Sequence, residues 1–574
     1  MLNHIYLKHS FIELNAREKA AAVLDPDTFR EILGPFDRLE SPHLALQSIV
    51  PQSDDGVVIA RGFINGDSAV VIAIEGDFQG GGIGEVSGAK IAAALEQALK
   101  DNEGGIRTRP VLLLETGGVR LQEGNYGLLA IAEIQAAIVS LRRYVPVVCV
   151  VSGMIGCFGG MSITAALCTT LIMTRQGRLE LNGPEVIEQE AGILEFDSRD
   201  RQLIWSTVGG EQRFETGFAD TLVSDDVAEI YEAVRDACQR EVSLEARSSQ
   251  VERFLSRLAV IDPSTPVDGS LLRTLWGRDQ KEDVSHTEER LRRLEEVWLQ
   301  TETNDVLSRG RKWFEALTGV TKSEKGGAPS VLCADASLGE EYVRYISVVP
   351  NPANRFPRAR HGEVGLDEGW TIARYVRDTI QADQDGKRRA IVAIVDVPSQ
   401  AYGYREELLG IHLACAAAAD AYASARLAGH PVIAFLVGNA ISGAFLAHGL
   451  QANRILALDD PDVVVQVMSQ KSAARVTRRC IEELEEVAAK IPATAYDIRS
   501  FASLGSLHEL LEDVAADEPA QSDIDTVKRK IINTISEVRS SARDLSNRLV
   551  SDHAQKGRAA SIEVRVRLAA QWNS

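Results

Sequence analysis

The 574-residue chain has few cysteines, few aromatic residues and a deficit of positive charge. Its seven cysteines form no CxxC pair, which argues against a zinc ribbon or a disulfide framework and favours a reducing, cytoplasmic location. The 62 Lys and Arg residues stand against 82 Asp and Glu residues, a formal net charge of -20. A chain with this balance is not expected to bind nucleic acid or an anionic membrane surface.

No segment of the sequence is interpreted as crossing a membrane. Two stretches without charge, 145–174 and 427–453, are long enough, but prolines and glycines interrupt both. Each is better explained as a buried strand, a glycine turn and a buried helix. The first residues, MLNHIYLKHSFIELNAREK, lack the apolar core and the cleavage site of a secretory signal.

The order of strand, glycine turn and helix occurs twice along the chain. RPVLLLETGG (109–118) and YVPVVCVVSG (144–153) have counterparts in RRAIVAIVDVPS (388–399) and HPVIAFLVG (430–438). Nearly continuous apolar runs of this kind are typical of parallel strands buried on both faces. We therefore predict an α/β chain with two related halves, 1–276 and 307–574, joined by a charged helical linker, 277–306. The second half should end in an amphipathic helix that starts near residue 524.

Four glycine-bearing turns contain the candidate chemistry. They are GDFQGGGIGEVSGAK (76–90), ETGGVRLQEG (115–124), SGMIGCFGG (152–160) and VGNAISGAF (437–445). Glycines let the backbone approach a ligand closely, and N–H groups at a helix start attract negative oxygen atoms. The first turn matches neither GxGxxG nor GxxxxGK[ST], so a dinucleotide or ATP site is not predicted. Close packing of small residues is the alternative explanation for such turns.

Several catalytic patterns are missing. There is no nucleophile elbow with suitable partners, no HExxH and no cluster of metal-ligating residues, so nucleophilic and metal-dependent hydrolysis are disfavoured and no metal site is predicted. Catalysis by oriented main-chain amides remains. It suits reactions in which charge develops on a thioester oxygen, where each donor removed costs about 3–4 kcal/mol.

Longer runs of the sequence resemble a known family. The turns of the first half, together with LNGPEVIE (181–188), look like the β-type carboxyltransferase domain of the crotonase superfamily. The second-half segments VPSQAYGYREELLGIHLACA and VGNAISGAFLAHGLQANRILALDD look like its γ- or α-type partner. VVPNPANRFPRARHGEVGLDEGW (348–370) is similar to the γ subunit of malonate decarboxylase. The chain thus resembles the β and γ subunits of biotin-independent malonate decarboxylase, fused head to tail over nearly all of 10–515. Because Cys149 is the first cysteine, the zinc ribbon usual in bacterial acyl-CoA carboxyltransferase β chains is missing, which weakens a carboxylase interpretation.

The resemblance implies two crotonase-like (ClpP/crotonase) spiral domains of ββα units that face each other across a bound thioester. It implies decarboxylation of a malonyl thioester on an acyl carrier protein to an acetyl thioester and CO2, through an enolate held by oxyanion holes. It also implies an acyl-carrier transferase subunit as a second partner, a CoA-derived prosthetic group on the carrier, an oligomeric assembly, and neither biotin nor metal on this chain.

The family's site residues transfer to this sequence as two sets. Gly153 and Met154 would donate to one oxyanion hole, and Gly443 and Ala444 to the other, facing the malonyl carboxylate. The substrate-binding set is Gly81, Gly82, Gly118, Arg120, Gly156, Tyr402, Gly403, Tyr404 and Ser442. Arg120 would contact the phosphate or ribose of a CoA-like arm, with an intramolecular ion pair as an equal alternative. The proton donor is not identified, although Tyr402, Tyr404 and Glu406 lie in the motif closest to the second-half turn.

Two features keep alternatives open. His412 and His448 lie on apolar helix faces and are expected to be core residues. The basic run QKSAARVTRR (470–479) either docks the acidic carrier protein or is a solvated helix face. Two other functions remain: a biotin-dependent acyl-CoA or malonyl carboxyltransferase component, and a non-catalytic scaffold that binds acyl thioesters.

Overall fold

Each half of the chain forms one sheet that is mostly parallel. The computed structural model describes residues 8–242, 245–277, 284–301, 306–321 and 323–573. The first sheet has the order β1-β2-β3-β4-β5-β6-β7, and the second has the order β14-β12-β11-β10-β9-β8, with β13 beside β11. The strands are β1 (Arg30–Ile32), β2 (Val57–Ile64), β3 (Asp67–Ile74), β4 (Arg109–Leu113), β5 (Val148–Val151), β6 (Thr170–Thr174), β7 (Thr221–Val223), β8 (Val331–Leu338), β9 (Glu341–Val348), β10 (Ala390–Val397), β11 (Val432–Ile441), β12 (Arg454–Leu458), β13 (Val465–Gln466) and β14 (Glu509–Leu511).

Helices alternate with these strands. They are α1 (Ala16–Ala22), α2 (Glu85–Glu103), α3 (Asn125–Leu141), α4 (Gly160–Leu167), α5 (Pro184–Ala191), α6 (Arg201–Val208), α7 (Gly210–Glu215), α8 (Val227–Gln239), α9 (Val251–Ala259), α10 (Gly269–Trp276), α11 (Val284–Gln300), α12 (Arg309–Thr318), α13 (Leu366–Ala382), α14 (Tyr404–Leu408), α15 (Ile411–Ala428), α16 (Ser442–Ala447), α17 (Gln470–Thr477), α18 (Ile481–Ala488), α19 (Ile498–Ala502), α20 (Gln521–Arg539), α21 (Asp552–Gly557) and α22 (Ala559–Gln571). Among the described residues, none of the helices has both the length and the apolarity to cross a membrane.

The two sheets repeat one topology. In each half an antiparallel hairpin, β2–β3 or β8–β9, leads into a parallel run, β3-β4-β5-β6-β7 or β9-β10-β11-β12-β14. The central parallel strands are buried along nearly their whole length, as their unbroken apolar sequences require. The predicted α/β fold of two crotonase-like spiral domains is confirmed.

The halves pack against each other through α15, which lies on α3 and α4. Asp420 of α15 is buried and forms an ion pair with Arg142 from the first half. It forms a second ion pair with Arg377 of its own half, and that pair has a distance of 2.7 Å. Burial alone would raise the pKa of Asp420, but the two guanidinium groups outweigh it and lower that pKa. The hydrophobic core is accordingly continuous across both halves.

The C-terminal residues return to the first half. α20 packs on the second half, where Ile531 and Ile535 are buried as predicted. The C-terminal strap, residues 541–572, then crosses over so that α22 lies on α2. Arg558 in this strap donates to Glu133 of α3 at 2.5 Å, and Arg565 donates to the same carboxylate at 2.7 Å. The strap therefore ties the end of one half to the core of the other.

The predicted linker, 277–306, contains α11, whereas 278–283 and 302–305 lie outside the described residues. α11 packs on α9, and its Trp298 donates to Asp367 at 3.3 Å. The domain boundaries at 276 and 307 stay a prediction.

Candidate active site

A cleft of about 210 Å³ lies where the two halves meet. Every residue that lines it is uncharged. The first half contributes Gly117, Val119, Leu121, Leu128, Phe158, Gly159, Gly160, Leu181, Asn182, Gly183 and Val186; the second contributes Gln400, Tyr402, Ser442, Gly443, Leu446, Val467, Met468, Ser472 and Val476. The cleft thus combines glycine turns from both halves with amide and hydroxyl side chains.

The first-half wall has a corner at the start of α4. Gly159, with φ of 57°, precedes the helix, and Gly160 is its first residue. We call Gly159 and Gly160 the first corner. It packs on the turn that contains Gly118, whose φ is 89° and where an added Cβ would lie 3.1 Å from the Phe158 carbonyl oxygen. Glycine at 118 therefore lets the two turns approach closely enough to form one wall.

The second-half wall has a corner where β11 leads into α16. Ser442 there has φ of 59°, an uncommon backbone conformation for a residue with a side chain. Gly443 follows, and its N–H donates to Gln400 Oε1 at 3.0 Å. We call Ser442 and Gly443 the second corner. Ala444, the next residue, is buried behind it.

An amide bridge spans the cleft from one half to the other. Gln400 Nε2 donates to Asn182 Oδ1 at 2.8 Å, while Asn182 Nδ2 donates to the Ala401 carbonyl at 3.0 Å. The main-chain N–H of Asn182 donates to Glu407 Oε1 at 2.6 Å. We call the Gln400 and Asn182 pair the amide bridge; both side chains are almost fully buried.

Tyr402 supplies a phenol to the second-half wall. Burial raises its pKa, and the Ser442 hydroxyl, which interacts with it, offsets part of that rise. The phenol is therefore neutral at physiological pH and carries a proton.

Carboxylates lie behind the cleft walls rather than in them. Burial raises the pKa of Glu180 to about 8 and that of Glu407 to about 7. Glu407 has Arg213 at 3.5 Å and accepts the main-chain N–H groups of Leu181 and Asn182. Glu180 has Arg178 at 3.5 Å, but neither of its oxygens has a hydrogen-bond partner within the described residues. Glu180 and Glu407 are therefore close to the cleft but are not among its lining residues, all of which are uncharged.

The structure places the predicted pair Gly153 and Met154 away from this cleft. A Cβ on Gly153 would overlap the Glu115 carboxylate, and the Met154 side chain is 57% exposed. Glu115 is itself held by Lys19 at 3.1 Å and by the Ile155 N–H at 3.2 Å. The cleft-lining glycines of the same turn are Gly159 and Gly160, so the structure gives no support to Gly153 and Met154 as an oxyanion hole.

Arg120 is committed to an internal ion pair, the alternative named for it above. It is 2% exposed, and its Nη1 lies 2.6 Å from both Asp55 and Glu123. Arg120 is not among the residues that line the cleft, so a contact with the phosphate of a CoA-like arm is not supported.

The remaining first-half glycines shape the turns. The Gly81 carbonyl accepts the Thr116 hydroxyl at 2.6 Å, Gly82 packs on Arg120, and the Gly156 carbonyl accepts the Thr116 N–H at 2.8 Å. Gly81, Gly82, Gly118 and Gly156 do not line the cleft themselves.

The residues of the second-half motif around Tyr402 and Tyr404 do not all line the same cavity. Tyr402 and Ser442 line the cleft, whereas Tyr404 and Glu406 line a separate cavity of about 370 Å³ beside Glu195 and Arg358. Burial raises the pKa of Glu406 to about 7. Gly403 lies between the two tyrosines and packs on the Glu406 carboxylate.

The two histidines are core residues, as expected. His448 Nδ1 is 3.0 Å from the Tyr422 hydroxyl and its Nε2 is 3.0 Å from the Ile394 carbonyl oxygen. Burial lowers the pKa of His448 to about 4, and it also lowers the pKa of His412, which lies beside the Phe218 ring.

Comparison with known proteins identifies both halves. The carboxyl transferase domain family matches residues 9–282, and the malonate decarboxylase gamma subunit family matches 359–572. Over 287 residues the chain is 37% identical to the malonyl-S-ACP:biotin-protein carboxyltransferase MADC of Malonomonas rubra, spanning 48% of this chain and 90% of MADC. The chain belongs to the malonate decarboxylase family of carboxyltransferases.

Within this family the two halves match separate proteins. The chain is 39% identical over 191 residues to the malonyl-S-ACP:biotin-protein carboxyltransferase MADD of the same organism, spanning 32% of this chain and 65% of MADD. A chain of the Pseudomonas malonate decarboxylase hetero-tetramer in complex with malonate is 56% identical, covering 47% of this chain and 98% of that one, with a TM-score of 0.46. Because the carboxyl transferase model matches 9–282 and the gamma subunit model matches 359–572, the fusion of β-like and γ-like halves is confirmed.

Four lining residues that matter for the chemistry were not named by the sequence analysis: Gly159, Gly160, Asn182 and Gln400. Gly159 and Gly160 lie in the same turn as Gly153, and the local sequence does not show which glycines of that turn reach the cleft. Asn182 and Gln400 were not singled out, because no spacing relates two amide side chains 218 positions apart.

Proposed function

We propose that this chain releases CO2 from a malonyl thioester on an acyl carrier protein and leaves an acetyl thioester. The observation that carries the proposal is the uncharged cleft between two glycine corners, one from each half. A malonyl carboxylate in such a cleft meets no cation that would stabilise it. Loss of neutral CO2 is favoured in these surroundings, because the charge moves onto a thioester oxygen that amide groups can hold.

The two corners take complementary roles in this mechanism. The N–H groups of Gly159 and Gly160 hold the thioester oxygen on which the enolate charge develops. The N–H groups of Gly443 and Ala444 face the malonyl carboxylate. The thioester carbonyl accepts the electron pair of the breaking C–C bond, so no biotin, metal or other bound cofactor is required. The enolate carbon then takes a proton, and Tyr402 and Ser442 supply hydroxyl groups on that side of the cleft.

The carrier protein would dock beside α17. This helix places Ser472 and Val476 in the cleft lining and exposes Lys471, Arg475 and Arg478 next to them. In a chain with a net charge of -20, this basic helix at the cleft suits an acidic carrier with a CoA-derived arm. A separate transferase subunit would load that carrier, within a cytoplasmic, oligomeric complex.

The second candidate is transfer of the carboxyl group to biotin. The names of the relatives MADC and MADD favour it, since both are biotin-protein carboxyltransferases. Both reactions form the same enolate and differ in whether CO2 leaves or is captured.

Release of labelled CO2 from malonyl-carrier protein in excess avidin separates the two candidates. Direct decarboxylation continues at an unchanged rate, whereas transfer to a biotin protein stops. The Gly160→Pro variant serves as the background control. Rates that fall to that background on adding avidin would replace the proposal with biotin-dependent transfer. Absence of CO2 release and of carboxyl transfer alike would leave only the acyl-thioester scaffold.

The docking surface has its own test. Changing Lys471, Arg475 and Arg478 to Glu should raise the KM for malonyl-carrier protein while sparing malonyl-coenzyme A, which needs no docking surface. Equal KM values for the carrier substrate in the variant and the parent chain would exclude this surface.

A further inference from the structure

The second corner is occupied by a side chain of the protein itself. The Gly443 N–H donates to Gln400 Oε1 at 3.0 Å, and both residues line the cleft. Gln400 is only 3% exposed, so its hydrogen bond to Gly443 is a buried contact within the wall and not the contact of a mobile surface side chain. An oxygen of a bound molecule can reach the Gly443 amide only by displacing Gln400 Oε1.

Asn182 decides which end of the Gln400 amide faces Gly443. Asn182 Nδ2 is held by the Ala401 carbonyl at 3.0 Å, which leaves Asn182 Oδ1 as an acceptor toward Gln400. Gln400 Nε2 donates to that oxygen at 2.8 Å. Reversal of the Gln400 amide would place two oxygen atoms against each other and two N–H groups together. Gln400 therefore presents an acceptor, not a donor, to the second corner.

We propose that Gln400 is a built-in competitor of the malonyl carboxylate, one that specifically weakens binding of the carboxylate in the ground state. The inference rests on the proposed function, which places the carboxylate at the second corner. A malonyl thioester must displace Gln400 to use the Gly443 amide, whereas an acetyl thioester has no oxygen for this corner and leaves Gln400 in place.

The competition favours the forward reaction. As the carboxylate loses its charge on the way to CO2, its hydrogen bond to Gly443 weakens, because charge-assisted bonds are roughly twice as strong as neutral ones. Gln400 Oε1 can then return to Gly443. Interactions that are weaker in the ground state than in the transition state raise kcat, so Gln400 should raise KM and kcat together.

Calorimetric titration with two coenzyme A thioesters tests the inference without turnover. Acetyl-coenzyme A is the neutral probe; sulfoacetyl-coenzyme A is the anionic probe, because its sulfonate stands in for the carboxylate and cannot leave as CO2. The Gln400→Met variant keeps the side-chain length and removes the acceptor. We expect the Kd for sulfoacetyl-coenzyme A to fall about fivefold, the effect of one neutral hydrogen bond, and the Kd for acetyl-coenzyme A to stay within about twofold.

A kinetic measurement on the same variant supplies a second readout. For malonyl-coenzyme A, kcat and KM should fall together and leave kcat/KM nearly unchanged. Gln212→Met is the matched control, since Gln212 is equally buried but lies outside the cleft lining. If Gln400→Met does not fold, Gln400→Asn shortens the amide by one methylene and should act in the same direction.

Three outcomes would overturn the inference: an unchanged Kd for the anionic probe, a weaker one, or an equal gain for both probes. The first two mean that Gln400 does not compete, and the third means that the cleft has only been enlarged. CO2 release with an unchanged affinity ratio would remove this inference alone. A selective gain for the anionic probe without any CO2 release would instead remove the proposed function and keep the competition.

Discussion

The two corners of the cleft differ in what their amide groups do in the empty protein. Within the described residues, the N–H groups of Gly159 and Gly160 donate no hydrogen bond, whereas the Gly443 N–H is held by Gln400. The two corners lie in equivalent positions of the repeated fold: the first lies where the chain enters α4 after β5, and the second lies where it enters α16 after β11. In the proposed mechanism, the first corner thus has free N–H groups for the oxygen that becomes negative, whereas the second corner must first release Gln400 before it can bind the carboxylate.

This difference follows from what each wall has beside it. The first corner packs on Gly118, which has no side chain, while the second contacts the amide bridge, which links Gln400 to Asn182 of the opposite half. A repeated fold can thus give two unlike subsites, because Gln400 accepts the Gly443 N–H at the second corner and Asn182 of the opposite half orients the Gln400 amide.

The largest expected effect comes from removing one N–H of the first corner. Gly160 is the first residue of α4, a position that accepts proline, so Gly160→Pro deletes the donor with little effect on the helix. Gly160→Ala is the matched reference, because it adds the same Cβ, 2.7 Å from Leu446, but keeps the N–H. We expect kcat for Pro to be about 100- to 1000-fold below that for Ala in a CO2-release assay. Equal kcat values would show that the first corner holds no oxyanion.

The next largest effect concerns the free energy of unfolding. It tests the contact between the two halves, which brings the two corners together in one cleft. Glu133→Gln leaves the buried Arg558 guanidinium of the C-terminal strap without its carboxylate, and leaves Arg565 with Glu96 alone. Removing one partner of a buried ion pair costs about 3–5 kcal/mol, so the free energy of unfolding in urea should fall by that order. The exposed Glu563→Gln, on the same strap, should change it by less than about 0.5 kcal/mol. If Glu133→Gln lowered the free energy of unfolding as little as Glu563→Gln does, the ion pairs of the strap would contribute little to holding the halves together.

The sequence predicted the sheets better than the site, for a physical reason. Buried parallel strands must be apolar along their whole length, so a run such as 388–399 can be recognised as a strand from the sequence alone. Tyr402 follows β10, and Ser442 and Gly443 follow β11; all three line the cleft because these two strands are parallel neighbours that end at the same edge of the sheet. Gly153 was chosen over Gly159 because one turn contains both, and only tertiary packing decides which of them reaches the opposite half.

Contacts between distant positions could not be predicted at all. Arg120 is paired with Asp55, 65 residues earlier, and Gln400 donates a hydrogen bond to Asn182, 218 residues earlier. Local spacing contains no information on either pair. The sequence predicted an amphipathic helix from about residue 524, but not that the strap after it contacts both halves, through Arg548 to Leu450 and Arg558 to Glu133.

A smaller effect should follow from placing a charge in the uncharged cleft. Met468 lines the second-half wall, and Met468→Lys brings an ammonium group toward the malonyl carboxylate. The ground state is then stabilised more than the transition state, so KM and kcat for malonyl-coenzyme A should both fall, kcat by about tenfold. Met468→Gln, polar and of similar length, controls for altered packing. An increase in kcat for the lysine variant would contradict the role given to the uncharged lining.

The smallest expected effect concerns the two carboxylates behind the walls. Glu407 accepts two main-chain N–H groups, whereas Glu180 has no hydrogen-bond partner among the described residues. Burial raises the pKa of Glu180 from 4.5 to about 8, so between those values the folded chain binds a proton that the unfolded chain does not. Stability must then decrease as pH rises across this window.

Glu180→Gln mimics the protonated acid at every pH and should remove that decrease. Measured by urea unfolding, the variant should exceed the parent chain at pH 8 by more than about 1 kcal/mol and match it near pH 5. The exposed Glu185→Gln should follow the parent at both pH values. Glu407→Gln should be destabilising instead, since both Glu407 oxygens accept main-chain N–H groups and the amide would set its NH2 against one of them. Equal responses of Glu180→Gln and Glu407→Gln would mean that the two walls are electrostatically alike, and the contrast between the corners would then rest on Gln400 alone.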